Sequence, residues 1–198
     1  HAVTQYEANL FYWWQSGALN ESFSDIFAVM DDREDWLIGE DLSSTILEEF
    51  GLTGALRDME HPENHYQPGH TSTWVVTCRD QEGVHYNSGI FNKAYYNIAT
   101  AIGKDKAEQI FYRTLTEYLQ PLSTFNEARE YVLIATADFY GAAESEYAAV
   151  LDGFNAVGLD GVWAPPPSDG CGCPSRTSLQ MEPQVASSYS TAEVLETL

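Results

Sequence analysis

From Asn87 to Gly158 the apolar residues recur at every third or fourth position, a pattern that confines this half of the chain to helices packed on one another. Phe91, Ala94, Tyr95, Ile98 and Ile102 share one face of a first helix, and Gly103 supplies its stop. A second runs through Ala107, Ile110, Phe111, Leu115 and Tyr118 and halts near Pro121. In "STFNE", Thr124 and Glu127 have the spacing of a capping box and start a third, whose buried face carries Val132, Ala135 and Phe139. A fourth, from about Ala143, presents Tyr147, Val150, Leu151, Phe154 and Val157 and ends at Gly158. The expected fold class is mainly α, an antiparallel helical bundle.

Upstream, Leu19, Phe23, Ile26, Phe27 and Met30 predict one more amphipathic helix, from about Ala18 to Met30. Glu21 and Asp25 fall one turn apart on a different face of it. Carboxylates so spaced repel by about 0.2–0.5 kcal/mol, so a cation at Glu21, or a histidine held by Asp25, would turn a cost into an asset. Between this helix and the bundle, Gly51, Gly54, Pro62, Pro68 and Gly69 break any regular pattern. A long irregular loop region is expected there, with "STWVVTC" as a short strand candidate. Beyond "DGVWAPPPSDGCGC" the periodicity stops. The expected organisation is a helical domain over residues 1–160 and a Pro/Ser/Gly-rich linker and disordered tail over 161–198.

Thirty acidic residues against nine basic ones leave a formal charge of −21, which repels nucleic-acid phosphates and anionic membrane surfaces and attracts cations. No nucleic acid and no membrane is expected as partner, and no apolar run approaches the roughly 20 residues of a membrane span. The numbering opens on a histidine, as expected of a chain whose leader was processed away or of a piece of a longer one. Cys78 stands apart from Cys171 and Cys173, whose single-residue spacing in "CGCP" is closer than that of a usual zinc knuckle.

Several stretches together resemble thermolysin-like zinc metallopeptidases, the neutral protease family. "HAVT", "SGALNE" and "SD" resemble the end of the family's HExxH helix and the helix after it, with His1 matching the second histidine of that motif and Glu21 the glutamate ligand. The first histidine and the general-base glutamate would then lie in the four residues before His1. "ALRDMEHP" resembles the segment with the substrate-binding arginine, here Arg57, and "CRDQEGVHYNSGIFNKAYY" resembles the catalytic-histidine signature, with His85 and its partner Asp80. The likeness continues through "QIFYRTLTEYL" to "FNAVGL" and so spans roughly residues 1 to 160.

The resemblance implies a secreted endopeptidase that hydrolyses peptide bonds with zinc-activated water, the zinc held by His1, Glu21 and a ligand from the missing amino-terminal half. Zinc with an open position makes its water acidic and polarises the scissile carbonyl. His85, oriented by Asp80, and the hydroxyl of Tyr12 would donate to the developing oxyanion, and Arg57 would hold a carbonyl of the peptide or protein substrate bidentately. Leu56 and Ile38 would line a pocket for a bulky apolar side chain after the cleaved bond, while Asn20 and Asp25 would support the zinc ligands. Within "DDREDWLIGED", Asp32, Asp35, Glu40 and the Leu37 carbonyl match a calcium site of the family. Two other functions stand beside this one: a non-catalytic acidic module binding calcium or a protein, and a copper-chelating amino-terminal histidine. "HPENH" imitates a zinc helix, but Pro62 and the late Glu63 argue against metal there.

Overall fold

The computed structural model describes residues 1–166; residues 167–198 of the expected tail, with Cys171 and Cys173, lie outside the described residues. Seven α-helices are found among these residues: α1 (Ala2–Glu7), α2 (Trp14–Asp31), α3 (Ser44–Glu49), α4 (Asp80–Ile102), α5 (Lys104–Arg113), α6 (Phe125–Tyr140) and α7 (Ser145–Asn155). The fold is the helical one that the apolar periodicity requires. Helix α4 packs along α2 and against α5 and α7, with α6 closing on α7.

The chemistry of the core follows from which rings share a face. Phe91 of α4 meets Phe23 of α2 at 5.9 Å between centroids, Phe111 of α5 at 6.2 Å, Phe125 of α6 at 5.6 Å and Phe154 of α7 at 5.4 Å. Five helices therefore converge on one buried ring, and such pairs add about 0.5–1.5 kcal/mol each beyond their area. The ends of the elements obey local signals. Gly103 terminates α4, and Thr124 and Glu127 exchange both hydrogen bonds of a capping box at the start of α6. Helix α5 passes into a π-helical turn over Thr114–Tyr118 before the chain reaches Pro121.

The loop region departs from expectation in one respect. "STWVVTC" is not a strand: Thr71–Thr73 make a 3₁₀ turn, and the N–H and C=O of Val75 bond instead to the side chain of Asn87, at 2.9 and 3.0 Å. An amide on α4 supplies the pair of bonds that a neighbouring strand would have made. The only sheet among the described residues joins β1 (Leu37–Ile38) to β2 (Arg57–Asp58) antiparallel, with Ile38 opposite Arg57. "HPENH" forms a 3₁₀ helix over Pro62–His65 with proline at its start, where the missing N–H costs nothing.

Past α7 the backbone turns at Asp160. Asp160 Oδ1 accepts from the backbone N–H of Val162 and Trp163, and the Trp163 ring lies 5.3 Å from that of Trp74.

Candidate active site

Helix α2 is buried over most of its length, and its two acidic residues are buried with it, Glu21 at 4 % exposure and Asp25 at 2 %. Each has a partner that explains why a helix tolerates both. The Tyr12 hydroxyl donates to Glu21 Oε1. Asp25 accepts a bidentate pair from Arg57, Nε to Oδ2 at 2.8 Å and Nη2 to Oδ1 at 2.6 Å, and a third bond from Asn92 Nδ2 at 2.8 Å. Ser22 completes this buried network by donating to Asn92 Oδ1 at 2.6 Å.

Histidine 85 reaches the same place from α4. Its ring Nδ1–H donates to Asp80 Oδ1 at 2.5 Å and its backbone N–H to Asp80 Oδ2 at 2.8 Å, which leaves Nε2 facing the Tyr12 hydroxyl at 3.1 Å and Glu21 Oε2 at 3.5 Å. That orientation depends on an unusual turn. Asp80, Gln81, Glu82 and Gly83 all have positive φ, at 56°, 46°, 65° and 82°, which costs about 1–2 kcal/mol at each non-glycine position. At Gly83 a Cβ would lie 2.9 Å from Asn87 Nδ2, so only glycine suits both the conformation and the space. Gln67 fixes the far side, donating from Nε2 to the His85 carbonyl at 2.6 Å and to Ser88 Oγ at 3.0 Å.

His1 approaches Glu21 from α1, with Nε2 3.4 Å from Oε1. Its Nδ1 is engaged by Asn20 Oδ1 at 2.9 Å and Ser24 Oγ at 3.0 Å, which turns Nε2 toward the carboxylate. A ring nitrogen oriented by a polar neighbour next to a buried carboxylate is a donor set that suits zinc, although no group of three histidine, cysteine or acidic side chains gathers among the described residues. Asn20 lies beside His1, and Asp25 lies against Arg57 and Asn92. Asn92 and Ser22 were not singled out by sequence. The signal available was a polar residue at a core position of "NSGIFN".

Charge sharpens these geometries. Burial first, then the hydrogen bond and charge of Glu21, push the Tyr12 phenol far above its ordinary pKa, so it stays a proton donor at any ordinary pH. Burial works against the Arg57 charge, but the charge and hydrogen bonds of Asp25, with Glu21 beyond, outweigh it and raise the guanidinium pKa. Leu56 and Ile38 sit on the β1–β2 ribbon beside Arg57, the Leu56 N–H donating to the Ile38 carbonyl at 2.8 Å.

The acidic loop is arranged differently. Asp32 Oδ1 accepts from the Glu34 N–H at 3.3 Å and Asp35 Oδ1 from the Leu37 N–H at 2.8 Å, so both carboxylates bend back on their own turns. Lys104 donates to the carbonyls of Arg33 and Asp35 at 2.9 and 3.0 Å and lies 4.1 Å over the Trp36 ring. Asp32, Asp35, Glu40 and the Leu37 carbonyl are therefore oxygen donors suited in kind to calcium but not drawn together. A concavity of about 500 Å³ lies between Tyr66, His70, Thr73 and Lys93, and includes none of Tyr12, Glu21 or His85. At the site itself the His1 and His85 side chains are 60 % and 53 % exposed, with Glu21 buried between them.

The Asp80–His85 pair of α4 thus faces the Tyr12–Glu21–His1 group at α2 across one side of a helical bundle. Residues 8–159 match the family model of the thermolysin metallopeptidase α-helical domain, and the chain belongs to that family. It is 51 % identical over 142 residues to the "Extracellular elastase" of Staphylococcus epidermidis, covering 71 % of this chain and 27 % of that protein. With the "Bacillolysin" of Bacillus amyloliquefaciens it shares 46 % over 163 residues, 80 % of this chain and 30 % of the other. Among solved structures it superposes on the precursor of protealysin, a metalloproteinase from Serratia proteamaculans, with a TM-score of 0.68 and 30 % identity, covering 79 % of this chain and 53 % of that one. The chain spans under a third of the length of these two curated relatives.

Proposed function

We propose that this domain is the helical half of a secreted zinc metalloendopeptidase, its substrate a peptide or protein bound across the face that carries Tyr12, Glu21 and His85. One observation carries the proposal: Glu21, buried on α2, is met within 3.5 Å by His1 Nε2 on one side and His85 Nε2 on the other. His1 and Glu21 would hold the zinc, together with a third ligand supplied from outside these residues. When bound, zinc would acidify a water and polarise the substrate carbonyl.

The chain's own groups do the rest. Asp80 holds the His85 ring so that Nε2 lies beside Tyr12 and Glu21, where as an imidazolium it would donate its N–H to an oxyanion as negative charge develops; Tyr12, kept as a phenol, donates beside it. Arg57 is rigidly presented by Asp25 and can fix a substrate carbonyl. Leu56 and Ile38, next to it on the ribbon, favour a bulky apolar side chain following the cleaved bond. Val3, Tyr6 and Phe11 expose apolar surface around α1, which suits docking of an amino-terminal half that brings the missing ligand and the general base. Cys78 is disulfide-bonded, which fits an oxidising, extracellular destination. Calcium at Asp32, Asp35, Glu40 and the Leu37 carbonyl is the second metal of the proposal, supported by the oxygen donors alone.

The test is His85→Ala in the complete chain that carries these residues. Turnover should fall by roughly 10² to 10³, the scale of a lost oxyanion donor, with zinc content retained. Unchanged turnover with the metal in place would refute the role of His85.

A further inference from the structure

Three polar side chains of α4, Asn87, Ser88 and Asn92, are as buried as its aromatic ones, at 0 %, 0 % and 1 % exposure. A buried amide or hydroxyl weakens a helix interface unless its polar atoms find partners, so each of the three should have them. Asn87 holds Val75, and Ser88 joins Gln67 to the His85 carbonyl. Asn92 reaches across to α2.

Its two amide atoms are used in opposite senses. Ser22 Oγ–H donates to Asn92 Oδ1 at 2.6 Å, which turns Nδ2 toward Asp25, and Nδ2 donates to Asp25 Oδ2 at 2.8 Å. Arg57 Nε donates to that same oxygen at 2.8 Å, while Arg57 Nη2 donates to Oδ1 at 2.6 Å. The Asp25 side chain is 2 % exposed, so water cannot stand in for a lost donor. Burial raises its pKa, and the charge and hydrogen bonds of Arg57, with the hydrogen bond of Asn92, oppose that rise. With Nε and one Nη2 proton engaged by Asp25, the Nη1 protons and the second Nη2 proton of Arg57 remain for a ligand. Asn92 lies about two turns beyond His85 on α4, so its bond to Asp25 also fixes the register of Arg57 against the helix that carries His85.

We propose that Asn92, oriented by Ser22, is a positioning residue for substrate binding: through Asp25 it sets the direction in which the Arg57 guanidinium meets a carbonyl of the peptide. Asn92 touches no substrate. Without its amide the Asp25 carboxylate can rotate about its Cβ–Cγ bond, and the guanidinium fork rotates with it. A bidentate grip tolerates little rotation, because both N–H groups must stay aligned with their acceptor. Arg57 holds a carbonyl other than the one attacked, so the loss falls on substrate and transition state alike and shows in KM rather than kcat. The role of Arg57 toward substrate rests on the proposed peptidase function; the hold of Asn92 on Arg57 does not.

Asn92→Ala is compared with the parent in the complete chain, alone and combined with Arg57→Lys, which keeps a cation beside Asp25 but loses the planar fork. Alone, Asn92→Ala should raise KM for a peptide substrate by roughly tenfold, with kcat and zinc content within about threefold. In the Arg57→Lys background the same change should move KM by less than about twofold, the non-additivity expected of residues that act through one another. The Arg57 Nε–H, followed by side-chain NMR, should exchange with solvent at least roughly tenfold faster in Asn92→Ala than in the parent. An unchanged KM, an equal rise in KM in both backgrounds, or loss of zinc would overturn the positioning role. If Asn92→Ala does not fold, Ser22→Ala decides, because it keeps the amide but removes the bond that orients it. It should raise KM by roughly threefold alone and leave it unmoved beside Arg57→Lys, and an unchanged KM in the single variant would overturn the proposal. A parent chain without peptidase activity would refute the proposed function; the Arg57 Nε–H exchange then judges the Asn92 contact by itself, and unaltered exchange would overturn it.

Discussion

Tyr12 is the residue at which charge, burial and geometry meet most directly. Its hydroxyl donates to Glu21 and lies 3.1 Å from His85 Nε2, and burial together with Glu21 raises its pKa above the ordinary value of 10.0. The sign of the linkage follows. The folded chain holds this proton more tightly than the unfolded one, so the stabilisation is fully present below the unfolded value and is lost as pH rises through the folded value. Urea midpoints measured from pH 8 to about 11 should therefore fall at the alkaline end, and Tyr12→Phe should flatten that fall. An equal fall in both proteins would mean that the phenol is not held by Glu21. The neighbouring pair tells a related story about what spacing reveals. Glu21 and Asp25 at one helical turn signalled that something must offset their repulsion, but the partner of Asp25 is Arg57, 32 residues away and on a different element. Nothing in local pattern announces a contact of that range.

At the scale of elements, the parts most legible in the sequence are those set by neighbours along the chain. The capping box of α6 is such a case. The Thr124 N–H donates to Glu127 Oε2 at 2.7 Å, and the Glu127 N–H donates back to Thr124 Oγ1 at 3.3 Å. Thr124→Ala should cost about 1 kcal/mol, read as a lower urea midpoint at unchanged slope. No shift in the midpoint would mean that the box contributes nothing. The stop at Gly103 and most helix faces were equally legible, because a terminal glycine and periodicity are local facts, but Phe139, expected on the buried face of α6, is 42 % exposed. "STWVVTC" misled because its run of β-branched and aromatic residues suits a strand, whereas its hydrogen-bonding partner is one side chain on α4. The left-handed turn over Asp80–Gly83 gave only a faint signal, a single glycine in "DQEG". Trp163 was hidden in a stretch whose proline and glycine content suggests a linker; its order comes from Trp74 and Asn126, which composition does not weigh.

At the scale of the whole molecule, this thermolysin-family helical domain carries its candidate site at the surface, where the His1 and His85 side chains are exposed over the buried Glu21. The described residues bring a histidine and a glutamate to within 3.4 Å and set a second histidine beside them, while exposed Val3, Tyr6 and Phe11 flank the same region. No helix among the described residues is long and apolar enough to cross a membrane. The strong negative charge lies mostly elsewhere, and within the site each buried carboxylate is matched, Asp25 by Arg57 and Glu21 by Tyr12. The account turns on Glu21 being a metal ligand rather than a buried acid satisfied by a phenol. Zinc affinity by chelator competition, compared between the complete chain and its Glu21→Gln variant, tests this most directly. A true ligand exchanged for an amide should weaken zinc by more than roughly a hundredfold, beyond the loss of an outer partner. Unaltered zinc affinity, with the variant folded, would contradict the account.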